Sequence, residues 1–190
     1  MRGLEKEILK KIKFYEGGFG DILPILGDPK LINRILFELG LGIVQIQLER
    51  FREGMTINRV VGIETRGAIL GGMLAFTLGL PFSVVRNGGK LPKELNPIKR
   101  SFVDYSKKVK SLEACEAHFN HGDNVIIIDD WFETGGSARA AVEILEECGA
   151  KVVGFMGIVD GTQGYPAAQK FFRKYQYFTL VDLKNRGSVI

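Results

Sequence analysis

Four consecutive β-branched residues, Val125, Ile126, Ile127 and Ile128, run directly into Asp129 and Asp130 and then into Gly135 and Gly136. Side chains of a strand alternate between its two faces, so a run with no polar member must be covered on both sides, as in a parallel sheet flanked by helices. Further strands are expected in "RVVGI" at 59–63, "PFSVVR" at 81–86, "KVVGFMGIVD" at 151–160 and "YFTLVDL" at 177–183. Between them, 66–79 reads as a helix closed by Gly79. Residues 137–148 read as another, with Ala138, Ala141, Val142 and Leu145 on one face and Gly149 as its stop. This alternation predicts the α/β class, a mainly parallel sheet with helices on both faces. Ligands of such sheets bind beyond the carboxyl ends of strands, where Asp129 and Asp130 stand.

The remainder organises around that core. A short amphipathic helix is expected at 4–13, and three glycines make 14–21 irregular. Asp28 as N-cap and Pro29 at the first helical position open a long helix to about residue 53. Residues 87–111 show no clear period. They hold Pro92 and Pro97 and crowd Lys90, Lys93, Lys99, Arg100, Lys107, Lys108 and Lys110, which predicts a flexible loop of functional length or simply a solvated basic one. At 190 residues a single domain over 1–190 is expected. Apolar runs such as 68–76 fall short of the eighteen or so residues of a membrane span, and no secretory pattern is visible, so neither membrane nor export is expected and the cytoplasm is the default. Cys115 and Cys148 lack disulfide or zinc spacing and are read as reduced structural thiols. The net charge of +4 suits an anionic partner without choosing between nucleic acid and a small phosphate compound.

"ETGGS" at 133–137 joins a strand to a helix N-terminus, whose unpaired N–H groups and dipole favour a phosphate, although a tight structural turn has the same residues. Two adjacent carboxylates at a strand end stay hydrated, bind a metal, or accept hydrogen bonds from ligand hydroxyls. Phosphate beside vicinal hydroxyls describes a ribose phosphate. The competing fingerprints G-x-x-x-x-G-K-[ST] and G-x-G-x-x-G are missing. His118 and His121 read as surface residues, and no Ser/His/Asp or Cys/His constellation is visible.

"VIIIDDWFETGGSA" resembles the phosphoribosyl pyrophosphate (PRPP) motif of type I phosphoribosyltransferases. "FGDILPILGDP" at 19–29, "VGIETRGAILGGMLAFTLGLPFSVVRNGGKLP" at 61–92 and "DYSKK" at 104–108 follow the order seen in the adenine-specific members. The likeness spans about residues 12–160. It implies a purine phosphoribosyltransferase of purine salvage, adenine the first choice of base. Asp129 and Asp130 would hold the ribose hydroxyls, and Glu133, Thr134, Gly135, Gly136, Ser137 and Ala138 the 5′-phosphate loop. Glu64, Thr65, Arg66 and Gly67 would form the pyrophosphate loop, with Arg86 and Lys90 reaching pyrophosphate in part across a homodimer interface. Gly18, Phe19 and Gly20 would read the base beneath a hood formed by 1–28. Mg²⁺ would arrive with PRPP, with no certain direct protein ligand. Nucleic acid is not an expected partner.

Three positions depart from the adenine pattern. Gly20 replaces the arginine of "F-R-D-I", which removes side-chain support beside the purine but leaves backbone groups to read it. Asp104 and Tyr105 replace the "E-Y" of the loop in which a glutamate acts near the sugar or base, and aspartate is one methylene shorter. Glu133 replaces an alanine where the 6-oxopurine enzymes carry an aspartate, which keeps hypoxanthine, guanine or xanthine open and makes Glu133, with Asp104 and Tyr105, a catalytic candidate. Trp131 and Phe132 replace a small aliphatic pair, to wall the site, meet a second subunit or fill the core. A PRPP-sensing regulator and a PRPP-binding protein without catalysis are the competing classes. The regulator usually adds a winged helix, for which the residues before "FGDI" are too few.

Overall fold

A computed structural model describes residues 2–15, 20–51 and 54–183. Seven strands form one sheet in the order β5–β6–β4–β3–β7–β8–β9. The central strands β3 (Arg59–Ile63), β4 (Phe82–Asn87), β7 (Asn124–Phe132), β8 (Lys151–Asp160) and β9 (Gln176–Asp182) pair in parallel. β5 (Ile98–Val103) and β6 (Val109–Ala114) add an antiparallel edge hairpin.

The apolar run divides between two cores as its alternation requires. Ile126 and Ile128 pack with α1 (Arg2–Lys11), α3 (Pro29–Phe51) and α4 (Arg66–Leu78), whereas Val125 and Ile127 face α5 (Gly136–Glu147) and α6 (Pro166–Phe172). Val60 and Val61 divide the same way in β3. Burying a side chain of this size stabilises the fold by about 1.5–3 kcal/mol, so either face stripped of its helices would expose several such side chains. Asp28 caps α3 as expected: its Oδ1 accepts the Leu31 N–H at 3.2 Å, and Lys11 pairs with it at 2.8 Å. Gly79 closes α4 at φ 65°.

Four expectations need correction. Residues 87–111 are not irregular throughout, because 98–103 forms β5 and the strand β6 begins at Val109. The period-2 pattern of β5 was hidden by Arg100 at a half-buried position, where α5 supplies its partners Glu143 and Glu147. The strand expected to end on the paired aspartates continues to Phe132, paired with β8 as far as Asp160. Residues 14–21 are not wholly irregular either: Lys13–Phe14 (β1) pairs with Gly20–Asp21 (β2), which leads into a single helical turn, α2 (Leu23–Leu26). Finally, α3 is long and apolar enough to cross a membrane by length and composition, although half of its most apolar stretch is buried in the protein.

Candidate functional site

A cleft opens where β3 and β7 end, between the β2 segment, the tip of the β5–β6 hairpin and the start of α5. Its sides are set by close backbone approaches. A Cβ on Gly67 would lie 2.6 Å from the Ile128 carbonyl oxygen and 2.7 Å from Asp129 Oδ1, so only glycine lets the 64–67 loop meet the acids of β7. Gly135, at φ 73°, turns the chain from β7 into α5. The Gly136 N–H bonds Thr134 Oγ1 at 3.2 Å, and Ser137 borders the cleft.

Asp129 and Asp130 lie at the floor. The Asp130 N–H donates to Asp129 Oδ1 at 2.9 Å, and Arg66 Nε pairs with Asp130 Oδ2 at 3.1 Å. Burial raises the pKa of both, for Asp129 with added repulsion from Asp130, whereas Arg66 pulls Asp130 back down. Such a pair favours a ligand that donates hydroxyl hydrogen bonds or brings positive charge. Arg66 Nη1 also donates to the Gly20 carbonyl at 3.1 Å, so one guanidinium ties the β2 segment to the acids.

Glu133 lines the cleft, and the Tyr165 hydroxyl donates to its Oε1 at 3.2 Å. Burial raises its pKa, Tyr165 lowers it and Asp104 adds a small upward push. Asp104 borders the same cleft in a different state. Its Oδ1 accepts from Ser106 N at 2.8 Å, Ser106 Oγ at 2.7 Å and Lys108 N at 3.1 Å, and Lys110 Nζ sits 2.6 Å from Oδ2. Although burial opposes it, these donors hold the carboxyl well below the usual carboxylate range. Asp104 therefore spends its lone pairs on the hairpin turn, beside the exposed Tyr105.

The structure brings Glu64, Thr65 and Arg66 into this cleft together with Asp129, Asp130, Trp131, Glu133, Thr134, Gly135 and Ser137. Ala138 is buried in the α5 core. Arg86 and Lys90 do not line the cleft. Arg86 pairs with Glu64 at 3.6 Å, and the Lys90 N–H donates to Glu113 at 2.6 Å. Gly20 is at the rim, while Gly18 and Phe19 lie outside the described residues. Trp131 and Phe132 both border the cleft, and the Phe132 ring packs among Phe155, Phe172 and Tyr177.

Sequence reasoning missed three supporting residues. Arg139 holds the Thr134 carbonyl at 3.1 Å and the Ala167 carbonyl at 2.7 Å, fixing the turn to α6. Its place in the first turn of α5, beside the glycines, was the available signal. Buried Glu113 caps the 89–91 turn, and Tyr165 orients Glu133; both act across distant segments and leave no local mark. Among the described residues no cluster of three or more His, Cys, Asp or Glu could cage a metal.

Residues 40–186 match the phosphoribosyl transferase domain family. Over 142 residues the chain is 37% identical to the adenine phosphoribosyltransferase of Nitrosococcus oceani, 75% of this chain and 76% of that one. It is similar to the crystal structure of adenine phosphoribosyltransferase from Thermoanaerobacter pseudethanolicus, with TM-score 0.78 and 26% identity over 93% of this chain and 98% of that one. The Saccharomyces cerevisiae adenine phosphoribosyltransferase, solved with an imino-altritol bisphosphate and adenine, gives TM-score 0.73 and 28% identity over 95% and 99%. With its acids, its Thr-Gly-Gly turn and its 64–67 loop joined in one cleft, the chain belongs to the type I phosphoribosyltransferase family, alongside the adenine phosphoribosyltransferases.

Proposed function

We propose that this protein transfers the phosphoribosyl group of PRPP to a free purine, adenine first, releasing pyrophosphate and a nucleoside monophosphate for purine salvage. The observation that carries this is the meeting of Asp129, Asp130 and the Thr134–Ser137 turn with the 64–67 loop in one cleft. The ribose hydroxyls donate to Asp129 and Asp130, and the 5′-phosphate accepts from the N–H groups at the start of α5. The C1′–oxygen bond to pyrophosphate breaks as the bond from C1′ to a purine nitrogen forms, and that nitrogen gives up its proton. Arg66 faces the departing pyrophosphate with charge fixed in advance.

Mg²⁺ carried by PRPP supplies neutralising charge to the leaving group. The residues fit such a cation: two adjacent carboxylates, with no three-ligand cage among the described residues, suit one held chiefly by substrate oxygens, and no side chain is assigned as its direct ligand. Glu133 is the candidate proton acceptor. Asp104 is the weaker one, because its carboxylate is committed to the turn.

Residues 1–28 serve as a hood over the base, and the tip of the 87–111 segment moves over bound substrate. A second copy completes the enzyme, bringing Arg86 and Lys90 toward pyrophosphate. Supporting this, Phe37, Leu41, Val44, Leu48 and Phe51 are exposed at three- and four-residue spacing along α3, and Phe76 of α4 is 89% exposed. The protein works in the cytoplasm, where its two buried free thiols, Cys115 and Cys148, stay reduced.

A 6-oxopurine is the second substrate class, favoured by Glu133 standing in the cleft with a raised pKa. Incubation with PRPP, Mg²⁺ and each of adenine, hypoxanthine, guanine and xanthine, followed by pyrophosphate release, tests both readings. Adenine is expected to turn over fastest. Tight PRPP binding with no turnover on any base would overturn the enzyme assignment. Light scattering tests the pairing: the protein should be a dimer, and Leu41→Glu with Leu48→Glu should make it a monomer if α3 forms the contact.

A further inference from the structure

Arg139 stands in the first turn of α5, and its N–H donates to the Gly135 carbonyl at 3.0 Å. A cation there is at the wrong end of the helix, because the dipole and the free N–H groups already make an N-terminus positive. The groups that hold its guanidinium are neutral. Nη1 donates to the Thr134 carbonyl at 3.1 Å, Nη2 to the Ala167 carbonyl at 2.7 Å, and Cζ lies 5.0 Å from the centre of the Phe171 ring. Nη1 is also 3.4 Å from the place a Gly135 Cβ would take, so the charge lies against the backbone of the turn itself. Glu143, the carboxylate that an i, i+4 pair would offer, meets Arg100 at 3.3 Å instead. Among the described residues Arg139 makes no ion pair.

The cleft side of that turn has the opposite deficit. A phosphate monoester brings nearly two negative charges at pH 7, and the 134–137 turn has no charged side chain of its own, with Glu133 beside it. Among the described residues the cations that line the cleft are Arg66 and Lys110, and carboxylates hold both: Asp130 at 3.1 Å and Asp104 at 2.6 Å. We propose that Arg139 is the counter-charge of the 5′-phosphate, acting from behind the turn through the Thr134–Gly135 backbone without touching the ligand. This rests on the phosphoribosyl site proposed above. The cation without a carboxylate and the phosphate without a lining cation compensate each other across one layer of backbone, and each is better placed with the other present.

Ribose 5-phosphate carries this phosphate without the pyrophosphate, and its isothermal titration into the full chain reads the effect of the charge. Arg139→Gln keeps a donor for a carbonyl and removes the charge, whereas Arg139→Lys keeps the charge and loses the two-pronged grip. The glutamine variant should bind ribose 5-phosphate about tenfold or more weakly at low salt, and the lysine variant within about threefold of the native protein. Raising the salt from about 0.01 M to about 1 M should narrow the glutamine deficit, because screening weakens a charge and leaves packing untouched. If Arg139→Gln does not fold by circular dichroism, Arg139→Met, which keeps a long side chain against Phe171, takes its place with the same loss expected. Native affinity in the folded neutral variant, or equal losses in the lysine and glutamine variants at every salt concentration, would overturn the inference while leaving purine transfer intact. A native protein that binds neither ribose 5-phosphate nor PRPP would overturn the phosphoribosyl reading and the inference with it. Charge-dependent binding of ribose 5-phosphate in a protein that turns over no purine would leave the inference standing and overturn the transfer.

Discussion

The two ends of the cleft are built differently. At the end proposed to hold the sugar, Asp129, Asp130, the Thr134–Ser137 turn and the 64–67 loop follow the family pattern, Gly67 lets backbone meet backbone, and Gly135 turns the chain at φ 73°. At the base end, Gly20, Trp131 and Glu133 all depart from that pattern, yet they fit one another: the indole occupies the space above Gly20, and Glu133 is held by Tyr165. A sugar phosphate needs hydroxyl acceptors and N–H donors at fixed positions, which few residue sets can supply. A planar base can be gripped by packing, and packing has many solutions.

If the sugar end is the rigid one, a small change there should cost most. Gly67→Ala would drive a Cβ to 2.6 Å from the Ile128 carbonyl. The displaced loop should lower kcat/KM by on the order of 10²-fold, because misplacement of about 1 Å has that effect, and equally for every base. Steady-state kinetics with two purines would expose a base-dependent loss, which would break the distinction.

At the base end, Glu133→Gln should cut kcat/KM by roughly 10²-fold, the low end of what general acid–base groups contribute. Its signature is the pH profile. Burial raises the Glu133 pKa, so a required carboxylate is protonated, and activity lost, as pH falls through a value above the ordinary glutamate range. The variant should lack that acid limb. A limb retained would move the role to another group.

The sequence and the structure agree most where chemistry restricts the residues. The four-residue apolar run required helices on both sides, and the acids and the "TGGS" turn that the sequence marked as a site meet in one cleft. The edge hairpin was illegible because Arg100 occupies a half-buried position that only Glu143 and Glu147 of α5 make tolerable. The pairing of Gly20 with Trp131 joins residues more than a hundred positions apart and was seen only as two separate oddities. Asp104 looked catalytic by position, and only the structure reveals the four contacts that occupy it.

Asp104→Asn should therefore act mainly on stability, costing about 1–2 kcal/mol for hydrogen bonds made to a charged group, with the acid limb of activity retained and moved only slightly down in pH, because the Asp104 charge that raises the Glu133 pKa is gone. Because its folded pKa is depressed, the stabilisation is present above the ordinary aspartate value and is lost as pH falls below about 4. Denaturant titration at pH 7 and at pH 3 measures both, and the gap between the two proteins should narrow at the lower pH without closing, because the folded carboxyl is still ionised there. Tyr165→Phe should have the smallest effect. It removes the hydrogen bond that lowers the Glu133 pKa, so the acid limb should move upward in pH with little change in its plateau.

The central claim is that Asp129 and Asp130 hold the ribose of PRPP. Isothermal titration of PRPP with Mg²⁺, without any base, into the native protein and into Asp130→Asn tests it most directly. The account predicts saturable binding to the first and none measurable to the second, with matching circular dichroism. Unchanged PRPP affinity in a folded Asp130→Asn protein would contradict it.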